Sequence, residues 1–420
     1  MKETRNADRL LMVMPYHQLV RKAVDAGFRV WSVWDPSLRD AAYLREVAAH
    51  SEELLLVDFT DEEALCALVE ETALAHRVGH VLHLGSENTM GPVVRVAERL
   101  GLSPNSAESV RLLNDKAATR ELLNRNGISP VRVAGAARCS DVSAAVRSLG
   151  FPCVVKPARS AGSRGVALLH SPSDLVGWSD RIEAAGLTGP FVAEEYLRGP
   201  EYSVETLTVA GQHHVVGITA KETSGPPGFV ERGHIHPAPL PEADTAAVRA
   251  TVTSLLDLAD YEFGPAHTEV ILTADGPRVV ESQARLGGDR IPLLVDVASG
   301  FDLEAAIFQA LAGEELPRIV PGRYASVGFF EFPAGILVSV AGLDEARALP
   351  WVHALTFRFR PGDVLPPTTD SASRHGHVVV DASTPEEATA RIAVVRNTIR
   401  AEVRRDDAPL PTATPEEALR

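Results

Sequence analysis

A chain of 420 residues is too long for one ordinary hydrophobic core, and at about 150 residues per domain it predicts roughly three units. Hydrophobic residues make up 45% and charged residues 23%, the balance of a soluble globular protein. The formal net charge of −15 excludes nonspecific attraction to nucleic acid or anionic membrane, since both need surplus Lys and Arg. Cys66, Cys139 and Cys153 are scattered and form no CxxC pair, so neither a disulfide framework nor a zinc site is expected. Cys153 sits in the apolar run Phe151–Val155 and reads as a buried, inert thiol. No basic-then-apolar leader pattern and no apolar run of about 18 residues occur, so a cytoplasmic location without membrane spans is expected.

The first hundred residues alternate strand and helix signals. Leu10–Met14, Arg29–Val33, Glu53–Val57 and His80–Leu84 are apolar runs, separated by helical stretches at His17–Ala26 and from Asp61. That rhythm predicts a doubly wound parallel sheet whose functional loops lie at strand C-terminal ends, where Gly85-Ser86-Glu87-Asn88 stands. Ser109–Gly127 reads as helices carrying Lys116. Strand signals then dominate, at Val131–Val133, Cys153–Lys156, Val166–His170, Phe191–Tyr196, Tyr202–Val209 and His214–Thr219. A helix over Ala243–Leu258 precedes strands Ala266–Leu272 and Arg278–Ser282, which the Asp275-Gly276 turn joins into a hairpin. Residues 317–400 form a small α+β unit with strands near Ser326–Phe332, Ala354–Arg360 and Gly376–Asp381 and a helix over Pro385–Arg400, capped by Ser383 or Thr384. The Pro- and Ala-rich last fifteen residues are expected to be a loose tail.

Three segments carry chemistry. In the first, a strand ends at Lys156 and a loop of small residues, Ser160-Ala161-Gly162-Ser163-Arg164-Gly165, follows. Small residues let backbone N–H groups approach phosphate oxygens, although no GxxxxGK[ST] is present and a surface hairpin is the plain alternative. In the second, Glu194-Glu195-Tyr196-Leu197 precedes a strand on which Glu201, Ser203 and Glu205 share one face. Such acidic groups accept hydrogen bonds from a nucleotide's amino and hydroxyl groups, and a polar edge face is the plain alternative. The third is the most informative. The hairpin brings Glu269 and Glu281 onto neighbouring strands at inward positions, where an unpaired carboxylate is costly. With the Gln283 amide oxygen they make a hard oxygen set suited to Mg²⁺ and phosphates. Arg285 aims at the same place if the strand continues, and Gly287-Gly288 lets backbone approach a ligand. A salt-bridged surface hairpin is the alternative, and the apolar flanks and paired glycines speak against it.

Together, and in this order, the segments resemble the ATP-grasp superfamily over nearly the whole chain. The resemblance implies mixed α/β and α+β architecture in an ATP-grasp fold. Residues 1–108 would form an N-terminal doubly wound α/β domain, 109–190 the central lid, 191–316 the catalytic antiparallel sheet, 317–405 a small C-terminal unit and 406–420 a flexible tail. It implies ATP bound by Lys116 and, forty residues on, Lys156, with Ser160, Gly162 and Ser163 in the loop over the triphosphate. Glu194 would meet the adenine amino group, Tyr196 and Leu197 the hinge, and Glu201 the ribose. Glu269 and Glu281 would hold Mg²⁺, two ions in number with Mn²⁺ as a substitute. The family usually places Asn where Gln283 stands, so the amide here is one methylene further from the backbone. Arg285 would face the γ-phosphate and the tetrahedral intermediate, acting in catalysis with Glu281 and Lys156.

Within the superfamily, Val230-Glu231-Arg232-Gly233-His234 and the Glu281–Arg290 run resemble the L-amino-acid (dipeptide) ligase branch. That implies Glu231 and His234 at the substrate pocket, beside Arg285, Gly287 and Gly288. It further implies small-molecule carboxylate and amine substrates, an acyl-phosphate intermediate, release of ADP and phosphate, and a homodimer. Two rival readings stand beside it. Residues 362–364 through 375–378 resemble a C-terminal segment of biotin-carboxylase-like and purine-biosynthesis enzymes, and a non-catalytic nucleotide-binding protein could keep the same fold.

Overall fold

The computed structural model describes residues 6–158, 165–226 and 229–405. The expected loop residues Ser160, Gly162 and Ser163, and the tail, lie outside the described residues.

The alternating N-terminal pattern builds a parallel sheet from β1 (Asn6–Val13), β2 (Arg29–Trp34), β3 (Glu53–Leu56) and β4 (Val78–His83), in the order β3-β2-β1-β4. Side chains alternate across a strand, so Leu10 and Met12 enter one core while Leu11 and Val13 enter another on the opposite face. Helix starts follow the polar residues before each apolar run: Asp61 accepts from Ala64 N at 2.9 Å and caps the helix Glu62–Ala75.

A second sheet is antiparallel, with β5 (Val133–Ala136), β6 (Cys153–Pro157), β7 (Ala167–Leu169) and β8 (Phe191–Glu195) in the order β5-β8-β6-β7. Its first strand starts two residues later than the sequence pattern suggests. Val131 is buried, and its N–H donates to Asn124 Oδ1 at 2.9 Å, so side-chain bonding to the preceding helix replaces a ladder bond there. Cys153 is buried, and burial raises its thiol pKa. Because β8 pairs with β5 and β6, this sheet runs past residue 190.

The central strands are β9 (Glu201–Val209), β10 (Gln212–Thr223), β11 (Glu231–His236), β12 (Phe263–Thr273) and β13 (Gly276–Gln283). The C-terminal ones are β14 (Tyr324–Phe330), β15 (Gly335–Ala341), β16 (Val352–Phe357), β17 (Val364–Leu365), β18 (Gly376–Ala382) and β19 (Arg400–Arg404). Eight of these form one sheet, β13-β12-β9-β10-β11-β14-β18-β16, which crosses residue 316 without a break, and β17-β15-β19 form a small one. The Asp275–Gly276 turn joins β12 to β13, with Gly276 at φ 98°, a conformation that favours glycine. Thr384 caps the helix Pro385–Thr398 by accepting from Glu387 N at 3.2 Å, and the Glu387 side chain returns to Ser383 N at 2.7 Å. The helix Leu303–Leu311 packs against the helix His17–Asp25, where Lys22 bonds Asp302 and Glu304, and its Phe308 meets Phe28. No helix among the described residues is long and apolar enough to cross a membrane.

Candidate active site

The pairing of β12 and β13 sets Glu269 directly opposite Glu281, and β9 on the other side sets Ser203 opposite Glu269. Period-two alternation then puts Glu201, Ser203 and Glu205 on the same face as Glu269. Each buried carboxylate here has a cation. Lys116 opens the helix Lys116–Arg125, which Asp115 caps, and its Nζ lies 2.8 Å from Glu281 Oε2. Lys221, on β10, lies 2.6 Å from both Glu201 and Glu269 and 3.7 Å from Glu231. Burial opposes ionisation of Glu269, but Lys221 and His267 outweigh it and hold its pKa well below the carboxylate range. The same competition lowers Glu281, where Lys116 prevails. Glu201, by contrast, is raised, first by burial and then by Glu269, which competes for the same lysine.

His267 joins this network. Its Nδ1 lies 2.6 Å from Glu205 Oε1 and its Nε2 3.5 Å from Glu269. Burial lowers the imidazole pKa, yet the two carboxylates lift it to about 10, so the ring is a cation at neutral pH. Gly287 N–H donates to Glu205 Oε2 at 3.2 Å. A Cβ at residue 287 would fall 2.8 Å from both Glu205 Oε2 and His267 Nδ1, so only glycine lets the backbone come this close, whereas Gly288 has open space. The Gln283 Nε2 donates to Glu281 Oε1 at 2.6 Å, leaving Gln283 Oε1 buried with no partner among the described residues.

A second cluster lies between the β5-β8-β6-β7 sheet and the large sheet. Lys156 Nζ is 2.6 Å from Glu194 Oε2, and Arg120 Nε is 3.0 Å from Glu194 Oε1. Burial alone would raise Glu194, but Lys156 and Arg120 bring it to about 2. Tyr196 and Leu197 are half-buried just beyond β8, where the chain passes from one sheet to the other. Arg285 reaches the N-terminal domain: its Nε and Nη2 donate to Glu87 Oε1 at 2.8 and 2.6 Å. Glu87 opens the helix Glu87–Arg99 that follows β4, in the segment that the doubly wound pattern singled out. β13 ends at Gln283, so strand alternation does not continue to residue 285, and the bond to Glu87 fixes the guanidinium instead.

A third cluster surrounds β11. Glu231 is buried and accepts from the Ser371 hydroxyl. His234 Nε2 lies 3.2 Å from Asp289 Oδ2, and the Arg374 guanidinium grips both Asp289 oxygens while stacking 3.6 Å over the Phe329 ring. Burial would raise Asp289, but His234 and Arg374 hold it far below the usual carboxylate range. Lys221 links this cluster to Glu269. Sequence reasoning did not single out Arg120, Lys221, His267, Asp289, Ser371 or Arg374 as site residues. Arg120 carried a signal, standing four residues after Lys116 on one helix face. Lys221 carried another, as the one lysine on the strand Gln212–Thr223.

Comparison with known proteins places this geometry. A family profile described as ATP-grasp domain matches residues 149–292, and one described as L-amino acid ligase C-terminal domain 2 matches residues 328–404. An uncharacterised protein of Sinorhizobium fredii is 28% identical over 368 residues, covering 86% of this chain and 74% of the relative. The alanine–anticapsin ligase of Bacillus subtilis is 24% identical over 250 residues, 54% of this chain and 52% of the relative, so the match spans about half that ligase's length. Among solved structures, an L-amino acid ligase from Bacillus licheniformis superposes with a TM-score of 0.82 at 24% identity, covering 96% of this chain and 100% of the other.

Proposed function

The chain belongs to the ATP-grasp superfamily and carries an L-amino acid ligase C-terminal domain, and from this we propose that it joins an amino-acid carboxylate to the amine of a second small molecule, using ATP. The observation that carries the reading is the opposed pair Glu269 and Glu281, each held ionised by a lysine from a different element. Two carboxylates and the unpartnered Gln283 amide oxygen fit a hard divalent cation, so Mg²⁺ belongs here, with two ions or Mn²⁺ as finer parts of the proposal. Bound at Glu269 and Glu281, the metal would neutralise charge on the phosphate oxygens.

In this reading Lys116 and Lys156 hold the phosphates between the units proposed at 109–190 and 191–316, under the loop carrying Ser160, Gly162 and Ser163. Glu201 receives the ribose hydroxyls and Glu194 the adenine amino group, with Tyr196 and Leu197 bordering the base. Arg120 fixes Glu194, and through it Lys156, in place. A substrate carboxylate oxygen attacks the γ-phosphorus, giving acyl phosphate and ADP. The amine nitrogen then attacks the acyl carbon, and the tetrahedral intermediate expels phosphate. Arg285, anchored by Glu87, sits where negative charge develops at both steps. Glu231 accepts the substrate ammonium and His234 orients the second substrate, beside the open backbone at Gly287 and Gly288. The proposal includes a cytoplasmic homodimer.

Phosphate release across a matrix of amino-acid pairs, with ATP and Mg²⁺, tests it. The reading requires release that depends on both partners and a new amide in the product. Bicarbonate-dependent release without an amine acceptor would instead establish the carboxylase-like alternative.

A further inference from the structure

Beyond Lys221, the polar face of β10 leads away from the carboxylates toward Gly217, about 13 Å further along at ~3.3 Å per residue. There β11 has ended. Its register with β10 stops at Ala220, and beyond it the Ala238 N–H returns to β10, bonding Ile218 O at 2.7 Å. The gap left beside β10 is a cavity of about 480 Å³, within the usual range for small-molecule sites. Phe301, Leu316 and Ile319 supply apolar wall, and Arg249 and Arg318 supply cations. Both arginines are exposed, and neither forms an ion pair with another described residue, although the chain carries a net charge of −15.

His236 also lines this cavity and is fully buried. Its Nδ1 lies 3.0 Å from Thr219 Oγ1, and its Nε2 has no hydrogen-bond partner among the described residues. A buried ring nitrogen without a partner is costly unless something else satisfies it. When the Thr219 hydroxyl donates to Nδ1, Nε2 carries the ring proton and is a donor. The ring fits only because residue 217 is glycine: a Cβ there would lie 2.1 Å from His236 Cε1. None of the residues assigned to nucleotide, metal or amino acid lines this space.

We propose that this cavity is a second ligand site, for a small carboxylic acid with an apolar body. Arg249 and Arg318 take the carboxylate charge, His236 Nε2–H donates to it, and Phe301, Leu316 and Ile319 enclose the apolar part. The site stands independently of the ligase reading, since its occupancy is measured without turnover.

The test is calorimetric titration of the full chain, with ADP and Mg²⁺ present to occupy the nucleotide site. Phenylacetate and 4-methylpentanoate are the probes, with neutral phenylacetamide and inorganic phosphate as comparisons. One saturable site is expected for at least one of the two carboxylates. Phenylacetamide should bind about tenfold more weakly, as loss of a charged hydrogen bond implies, and phosphate should also bind more weakly than the carboxylates. Arg249→Gln and Arg318→Gln should each weaken carboxylate binding by about tenfold with unchanged melting temperatures, whereas Arg285→Gln should leave it unchanged. Saturation by neither carboxylate, wild-type affinity in either arginine variant, or loss of binding in Arg285→Gln would overturn the site. Tighter binding of phosphate would overturn the carboxylate assignment.

Discussion

Lys221→Met isolates the charge that holds three carboxylates together. The Lys221 side chain is 4% exposed and meets Glu201 and Glu269 at 2.6 Å and Glu231 at 3.7 Å. Methionine keeps most of the stem and removes the ammonium. Deleting one partner of a buried ion pair costs about 3–5 kcal/mol, because the other charge stays behind uncompensated. Here the remaining charges also repel one another. Against a typical folding free energy of about 5–15 kcal/mol, that is a large fraction of the stability of the central sheet. The measurement is urea unfolding of wild type and variant in chelator, followed by Mg²⁺ titration. The variant should unfold at markedly lower urea, and Mg²⁺ should restore part of the difference by replacing the missing positive charge at Glu269. The pH dependence has a definite sign. Glu269 is lowered by folding, so its contribution is present above its ordinary value of 4.5 and is lost as pH falls through the folded value. Lys221 is raised, so its contribution is present below 10.5 and is lost as pH rises through its folded value. The gap between the two proteins should therefore be widest between these limits. Equal urea midpoints across that window would refute the reasoning.

Arg285→Lys keeps the charge but loses the fork that Glu87 orients, so turnover should fall by about one to two decades while ADP affinity, read by calorimetry, holds. His267 is raised from 6.5 to about 10, so its stabilisation is full below pH 6.5, declines as pH rises and is gone above about 10; in melting curves the wild-type advantage over His267→Gln should follow that course. Glu281→Ala should abolish phosphate release at any Mg²⁺ concentration, whereas excess Mg²⁺ should partly rescue Glu269→Ala; near-normal release by Glu281→Ala contradicts its role at the metal.

What the sequence made legible was local. The Asp275–Gly276 turn puts Glu269 and Glu281 on neighbouring strands, but a shift in register between Glu269 and Val270, which the sequence did not show, sets them directly opposite. Lys156 was readable because it ends a short apolar strand before small residues. Glu87 was readable as a position just beyond the end of a parallel strand, where the structure starts a helix, but its bond to Arg285, 198 residues away, was not. Long-range partners account for most of what was missed. Lys221 meets its carboxylates only through the pairing of β9, β10 and β12, and Arg374 reaches Asp289 across 85 residues from a loop with no periodic signal. The continuous eight-stranded sheet was hidden for the same reason, since β11 pairs with β14 across a helix, a hairpin and two further helices. The His236 cavity was also hidden: a His-x-His pair in the sequence does not reveal that Gly217, on another strand, makes room for the ring.

Isotope transfer tests the central claim most directly. With the best pair from the amino-acid matrix, the carboxylate substrate is labelled with ¹⁸O and the released phosphate is analysed by mass spectrometry. If the carboxylate attacks the γ-phosphorus, each turnover moves one of its oxygens into phosphate, so the phosphate should carry one ¹⁸O per amide formed. Amide formation with unlabelled phosphate would contradict the acyl-phosphate route, and with it the role given to Glu269, Glu281 and Arg285.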